Sequence, residues 1–131
     1  MGTNGRLIKG FSTLMFFPVG CRIYLASTAV DMRKSYQTLG IVVKNILNHN
    51  PLCGHLFVFY NKRRDTLKIL YWDTNGFCLW GKKLEKDKFI LPPTFKGPSF
   101  EISAYHLQGF IQGLDCWKMP KARRLSYKVI S

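Results

Sequence analysis

Residues 54–92 read GHLFVFYNKRRDTLKILYWDTNGFCLWGKKLEKDKFILP and decide the fold of this chain. Three runs in this stretch are typical of β-strands. Leu56–Tyr60 is almost continuously apolar, as expected of a central strand that is covered on both faces. Thr66–Asp73 alternates its side chains between two faces, and Phe77–Gly81 is a short aromatic run. We therefore expect this stretch to supply three neighbouring strands of one sheet.

The turns between these runs indicate how the strands pair. Asn61–Asp65 is a basic turn, and Thr74–Gly76 contains an Asn-Gly pair, which readily adopts the positive φ angles of a hairpin. Leu84–Leu91 is predicted to add an edge element that ends at Pro92, because proline cannot donate a backbone hydrogen bond. The stretch therefore predicts antiparallel pairing.

Outside this stretch the sequence predicts one more strand and two helices. Ile23–Ala26 is a short strand, and Asp31 is the expected cap of a first helix that closes at Asn50-Pro51. Ser103 is the expected cap of a second, shorter helix over Ser103–Leu114. The stripes predicted to be buried are Met32, Tyr36, Leu39, Val43, Ile46 and Leu47 in the first helix, and Leu107, Phe110, Ile111 and Leu114 in the second. The prediction is a single α+β domain with an antiparallel sheet of about four strands and two helices.

The length of 131 residues suits one ordinary domain with an extension at each end. Residues 1–14 are polar, Gly-rich and aperiodic, so we expect a disordered extension there. Residues 15–116 form the predicted domain. Residues 117–131 contain five basic residues and no acidic one, which predicts a mobile basic arm.

The composition is strongly basic. The chain has 20 Lys and Arg residues against 7 Asp and Glu, a formal net charge of +13 and a pI near 9.9. Such a field attracts polyanions, and eight of the cations lie among the aromatic residues of residues 54–92, so nucleic acid is the first partner to consider. The alternative is a soluble basic protein whose charge only keeps it dispersed.

The cysteine and hydropathy patterns favour a cytoplasmic protein that does not span a membrane. The four cysteines contain no C-x-x-C pair, which argues against a zinc site, and Cys21 and Cys78 lie in apolar runs where a free thiol behaves as a small hydrophobe. No apolar run approaches the 18 or so residues of a membrane span. The alternative is a short secretory or lipoprotein signal over residues 6–21, which Pro18 interrupts.

The sequence gives little support to catalysis. Metal-dependent cleavage of nucleic acid needs acidic side chains that converge on a cation, whereas the seven acidic residues are better explained as caps, turn residues and solvated partners of lysines. No phosphate-binding glycine motif and no paired histidine spacing is present. We expect no metal, no cofactor and no small-molecule substrate, and keep a weak nuclease that uses Asp73 and Glu85 as an alternative.

Four ordered blocks resemble a known family. Asp31-Met-Arg-Lys, Gly54-His-Leu-Phe-Val-Phe, Leu67-Lys-Ile-Leu-Tyr-Trp-Asp and Gly76-Phe-Cys-Leu-Trp-Gly-Lys-Lys-Leu-Glu are similar to the second-frame accessory proteins, called TnpB, of bacterial insertion sequence sixty-six elements. The resemblance covers residues 15–92 and is weaker over residues 107–115. Lys83 and Gly81 depart from it, since the family usually has Arg and a bulky residue at these positions.

The resemblance implies a small accessory protein that is encoded beside a separate transposase and assists transposition without a catalytic acidic triad. Together with the charge, it favours a non-enzymatic protein that binds DNA, double-stranded in the first instance, and helps to assemble the transposase or another accessory subunit. The candidate phosphate contacts are Arg33, Lys34, Lys62, Arg63, Arg64, Lys68, Lys82 and Lys83, and the candidate stacking residues are Trp72 and Trp80.

The alternative function is a protein adaptor for the transposase that makes no direct contact with DNA. In that case Phe77 or Trp80 is the expected apolar anchor.

Overall fold

The computed structural model describes residues 20–118. Along the chain the elements are β1 (Ile23–Ala26), α1 (Tyr36–Asn45), β2 (Leu56–Tyr60), β3 (Thr66–Asp73), β4 (Gly76–Lys83), β5 (Ser99–Ile102) and α2 (Ala104–Ile111). The predicted extension of residues 1–14 lies outside the described residues, as does the predicted basic arm from residue 119 onward.

The strands form one five-stranded sheet in the order β4-β3-β2-β1-β5. Every neighbouring pair is antiparallel except β1 and β2, which are parallel because the chain returns through α1 before it enters β2. The predicted α+β class is confirmed, with five strands rather than about four. No helix within residues 20–118 is long and apolar enough to cross a membrane.

Each face of the sheet is covered by one helix, which gives three layers. Leu39 and Val43 of α1 pack with Phe57 and Phe59 on one face. On the other face, Leu107 and Phe110 of α2 pack in a second cluster with residues of the sheet, which include Leu25, Val58, Leu67 and Ile69. All five residues of β2 are buried, as the apolar run predicts, because successive side chains of a strand point to opposite faces and both faces are covered.

The first helix begins later than the sequence predicts. Ser35, not Asp31, is the residue before the first helical position. The carboxylate of Asp31 instead accepts the backbone N–H of Arg33 over 2.9 Å, which folds a local turn of the kind that aspartate commonly forms. Two residues of the predicted buried stripe face solvent: Tyr36, the first helical residue, is 48% exposed, and Ile46, directly after the helix end at Asn45, is 56% exposed.

The predicted edge element over Leu84–Leu91 is wrong, because this segment contains no strand. Its backbone is held by the β2–β3 turn, where Leu84 N–H donates to Asp65 O over 2.8 Å and Phe89 N–H donates to Arg64 O over 2.7 Å. The edge strand is β5, which lies in a region that the sequence presents as a Pro- and Gly-rich loop. The strand has only four residues and follows Pro98, so its local signal is weak.

The second helix is confirmed with a shorter extent. The Ser103 hydroxyl accepts His106 N–H over 3.0 Å, as predicted for a cap, but the helix ends at Ile111 and Leu114 is exposed. Trp117, the first residue of the predicted arm, packs onto this helix: its ring stacks on His106 with centroids 5.0 Å apart, and its indole N–H donates to Ile90 O. The folded part of the chain therefore includes Trp117.

Candidate nucleic-acid interface

The basic β2–β3 turn is organised by one amide side chain. Asn61 Oδ1 accepts the backbone N–H groups of Asp65 and Thr66, each over 3.0 Å, and Asn61 Nδ2 donates to Asp65 Oδ1 over 2.7 Å. Arg64 has a φ of 60°, a left-handed conformation that is uncommon for a residue with a side chain. Asn61 therefore fixes a sharp turn from which the side chains of residues 62–64 reach solvent.

Residues 84–89 lie along this turn and bring further lysines to the same end of the sheet. Besides the two backbone hydrogen bonds described above, Lys88 Nζ donates to Arg63 O over 2.9 Å. Lys83 joins them because it pairs with Thr66 across the β3–β4 ladder. We call this region the basic end; its exposed cations are Lys62, Arg63, Arg64, Lys83, Lys86 and Lys88.

The segment before α1 lies beside the basic end across an open cavity. Val30 N–H donates to Tyr60 O over 2.9 Å, so residues 29–32 run next to the start of the turn. The cavity between them is about 460 Å³ and is lined by Ala29, Val30, Asp31, Met32, Asn61, Lys62 and Arg63. Of the predicted contacts, Arg33 and Lys34 thus belong to the segment on one side of this cavity, and Lys62 and Arg63 lie on the other.

Two carboxylates within this region have lowered pKa values. The side chain of Arg33 hydrogen-bonds Asp31 and holds the pKa of Asp31 at about 2. The amide of Asn61 lowers the pKa of Asp65, with smaller contributions from Thr66 and nearby cations. Glu85 and Asp87 lie in the segment along the turn. The eight cations around the cavity and the turn thus outnumber the carboxylates by four, so the region remains positive.

Two of the predicted phosphate contacts have partners inside the fold. Lys68 is half-buried, and its ammonium donates to Met32 O over 2.7 Å and to Lys34 O over 3.3 Å. Lys82 is also half-buried, and its ammonium donates to Ile111 O at the end of α2 over 3.0 Å. A cation at the last carbonyls of a helix is stabilising because these groups have no partner within the helix. The sequence shows both lysines on strands but not which carbonyls need a donor.

The two predicted stacking residues lie on opposite faces of the sheet. Trp72 faces the α1 side and contacts Phe77 edge to face, with ring centroids 5.1 Å apart. Trp80 pairs with Ile69 and packs against the core on the α2 side. Both indoles are half-buried, and they do not form one platform on which consecutive bases stack. Phe77, the other aromatic residue considered as an anchor, is also half-buried.

The acidic residues and cysteines are dispersed. Within residues 20–118 no group of three His, Cys, Asp or Glu side chains is placed to hold a metal ion. Asp73 and Glu85 flank opposite ends of β4, because Asp73 pairs with Gly76 at one end of the hairpin and Glu85 follows the other end. Cys21, Cys53, Cys78 and Cys116 are all free thiols.

The fold and the basic end define a small α+β protein with a positively charged surface at one end of its sheet. The family described as IS66 Orf2 like protein matches residues 21–121, and the chain belongs to this family. The match includes β5 and α2, so it extends well beyond the residues 15–92 of the sequence resemblance. Membership makes the chain an accessory protein of insertion-sequence transposition.

Two relatives come from Sinorhizobium fredii. The uncharacterized protein y4hO is 34% identical over 100 residues, which cover 76% of this chain and 85% of the relative. The uncharacterized protein y4jC is 38% identical over 104 residues, which cover 79% of this chain and 87% of the relative. No solved structure matches the chain.

Proposed function

We propose that this chain is a non-catalytic accessory protein of transposition that binds double-stranded DNA through the basic end and assists the assembly of a separate transposase. The observation that carries the proposal is the convergence of the β2–β3 turn, the end of β4 and residues 84–89, which the backbone hydrogen bonds of Leu84 and Phe89 hold together. Cations from three segments thereby form one surface. Family membership supports a role in transposition, and the basic surface supports DNA binding as the way in which the protein acts.

The chemistry of the surface favours the phosphate backbone over the bases. The exposed groups at the basic end are mainly lysine ammonium and arginine guanidinium groups, which contact phosphates without reading sequence. Single-stranded DNA is usually held by aromatic rings on which bases stack, and Trp72 and Trp80 are half-buried on opposite faces. We therefore favour a duplex as the substrate.

The contacts that we assign keep four residues of the sequence-based set, Lys62, Arg63, Arg64 and Lys83, and add the exposed Lys86 and Lys88. Arg33 and Lys34, which belong to the segment on the other side of the cavity, are not among them. Lys68 and Lys82 are left out because their ammonium groups are half-buried and bonded to backbone carbonyls. The assigned phosphate contacts are the six exposed cations Lys62, Arg63, Arg64, Lys83, Lys86 and Lys88. With about six phosphate contacts, log Kobs is expected to fall with log[salt] at a slope near −5.

A salt-series anisotropy titration tests this proposal. The purified protein is titrated against a labelled duplex that carries an insertion-element end and against a scrambled duplex of equal length, from about 50 to about 200 mM salt. The double variant Lys62→Gln/Arg63→Gln is expected to make the slope shallower by about 1.8, since each lost phosphate contact contributes roughly 0.9.

The control is Arg22→Gln/Lys44→Gln, which removes the same charge next to the start of β1 and at the end of α1, away from the turn. Equal losses in the two double variants would show a nonspecific effect of net charge and would refute the interface. Absence of binding to both duplexes at moderate salt would refute DNA binding itself.

A second candidate function, the transposase adaptor, is favoured by one apolar surface. A cavity of about 270 Å³ lies between residues 26–34 and the end of α1, and Ile46 lines it while 56% exposed. If the adaptor is correct, Ile46→Ser is expected to abolish co-purification with the transposase, and the wild-type chain is expected to bind neither duplex. Retained co-purification in this variant would contradict the adaptor surface.

A further inference from the structure

The Asp31–Arg33 ion pair places a carboxylate at the cavity beside the basic end. Arg33 Nη2 donates to Asp31 Oδ2 over 2.7 Å, and Arg33 Nε lies 3.1 Å from both carboxylate oxygens. The Arg33 side chain is nevertheless 91% exposed, so the guanidinium is presented to solvent while two of its nitrogens are bound to Asp31. Asp31 itself lines the cavity together with Lys62 and Arg63.

The exposure of this pair makes its exchange for a phosphate inexpensive. An ion pair in water contributes little to stability, because solvent screens it and two side chains lose freedom to form it. An arginine guanidinium binds phosphate with the same two-pronged geometry that it uses for a carboxylate. Arg33 is therefore suited to move from Asp31 to a DNA phosphate, but the negative charge of Asp31 remains within a few ångströms and opposes that phosphate.

The structural role of Asp31 is separable from its charge. Asp31 Oδ1 also accepts the Arg33 backbone N–H over 2.9 Å, and Asp31 O accepts Lys34 N–H over 3.1 Å. An asparagine has the same carbonyl-type oxygen at the Oδ1 position and forms the same turn, but carries no charge. Asp31→Asn therefore removes the electrostatic effect and keeps the backbone conformation, whereas Asp31→Ala removes both.

We propose that Asp31 restrains Arg33 and thereby limits the number of phosphates that the basic end engages. The inference rests on the proposed DNA binding and adds a residue that sets its strength. In the wild-type chain Arg33 contributes little to affinity because Asp31 occupies it. Neutralising Asp31 releases Arg33 across the cavity from Lys62 and Arg63 and adds one phosphate contact.

The test compares salt-series titrations of five full-length proteins against the same labelled duplex. Asp31→Asn is expected to bind about fivefold more tightly at low salt, because the released Arg33 adds one phosphate contact. Its salt slope is expected to be steeper by about 0.9. Arg33→Gln alone is expected to change affinity by less than about twofold, and Asp31→Asn/Arg33→Gln is expected to lose both the gain and the steeper slope.

The matched control is Glu101→Gln. Glu101 forms a comparable exposed ion pair with Arg22, 3.6 Å long, on the far edge strand β5, and this variant changes the net charge by the same amount. An equal gain in Glu101→Gln, or a gain in Asp31→Asn that survives loss of Arg33, would overturn the inference while DNA binding stands. If the wild-type chain binds no duplex at any salt concentration, the proposed function falls and takes the inference with it.

Discussion

At the scale of single residues, Asn61 matters most for the basic end. Its side chain makes three hydrogen bonds across the turn, in addition to two backbone hydrogen bonds, from Asn61 N–H to Thr66 O and from Arg64 N–H to Asn61 O. The charge of the surface comes from lysine and arginine, but its geometry comes from this neutral amide. Stability and DNA affinity should therefore be linked at Asn61.

Asn61→Ala is expected to destabilise the protein by about 1–3 kcal/mol, because it leaves the partly buried backbone N–H groups of Asp65 and Thr66 without their acceptor. DNA affinity is expected to fall as well, although no cation is removed. Urea unfolding and anisotropy titration measure the two effects. Unchanged affinity in this variant would show that the turn does not need a fixed conformation to bind DNA.

At the scale of elements, α1 and β4 approach each other at Gly40. A Cβ atom added at Gly40 would lie 3.3 Å from Cζ of Phe77, which is closer than an ordinary contact. A glycine inside a helix costs about 1 kcal/mol relative to alanine. The close approach explains its presence, since any side chain at this position must displace the Phe77 ring.

Gly40→Ala is expected to change the free energy of unfolding by less than about 0.5 kcal/mol, because the gain in helix propensity and the crowding of Phe77 offset each other. Gly40→Val is expected to cost about 1–3 kcal/mol through overpacking. In a Phe77→Leu background, Gly40→Ala is expected to stabilise by close to the full 1 kcal/mol. Urea unfolding of the four variants checks these values, and a destabilising Gly40→Ala in that background would contradict the role of Phe77.

Some strands and turns could be predicted from the sequence, whereas the start of α1 and strand β5 could not. Strands β2 and β3 and the Asn-Gly turn were predictable because their signals are local: an apolar run, an alternation and a turn dipeptide. The start of α1 was not, because an aspartate before a helix pattern is typical of both a helix cap and a local turn, and here Asp31 accepts the Arg33 backbone N–H in a turn. Strand β5 was missed because its four residues are held by pairing with β1, which is distant in the sequence.

The residues of the candidate site also fall into those that the sequence predicts and those that only the structure shows. The exposed turn cations were predictable from composition and turn chemistry. The internal roles of Lys68 and Lys82 were not, because each depends on carbonyl groups that belong to other elements, at residues 32 and 34 and at residue 111. Whether the ammonium group of a strand lysine reaches solvent or a backbone carbonyl of another element is decided by tertiary packing.

At the scale of the whole molecule, buried phenols set an alkaline limit to stability. Burial raises the pKa of Tyr60 to about 12, and its hydroxyl donates to Ala26 O over 2.7 Å. Burial also raises the pKa of Tyr71 to about 12. In the unfolded chain both groups titrate near the ordinary value of 10.0. Their contribution to stability is therefore complete below pH 10 and is lost as the pH rises from 10 towards 12.

Tyr60→Phe is expected to cost about 0.5–1.5 kcal/mol at neutral pH through the lost hydrogen bond. The same variant is expected to lose stability less steeply above pH 10, because only Tyr71 of the two phenols then remains to titrate. Both effects are measured by urea unfolding at several pH values from about 8 to about 11.5. An alkaline dependence as steep as that of the wild type would rule out Tyr60 as a contributor.

The position of β1 between β2 and the edge strand β5 has a consequence for the order of folding. Strands β2, β3 and β4 pair through short turns, so they require little loop closure and are expected to form first. Strand β1 pairs with β2 across α1, and with β5 only when residues 99–102 are available. During synthesis the outer edge of β1 therefore stays unpaired until nearly the whole domain has left the ribosome, and chains that stop after β4 are expected to aggregate through that edge.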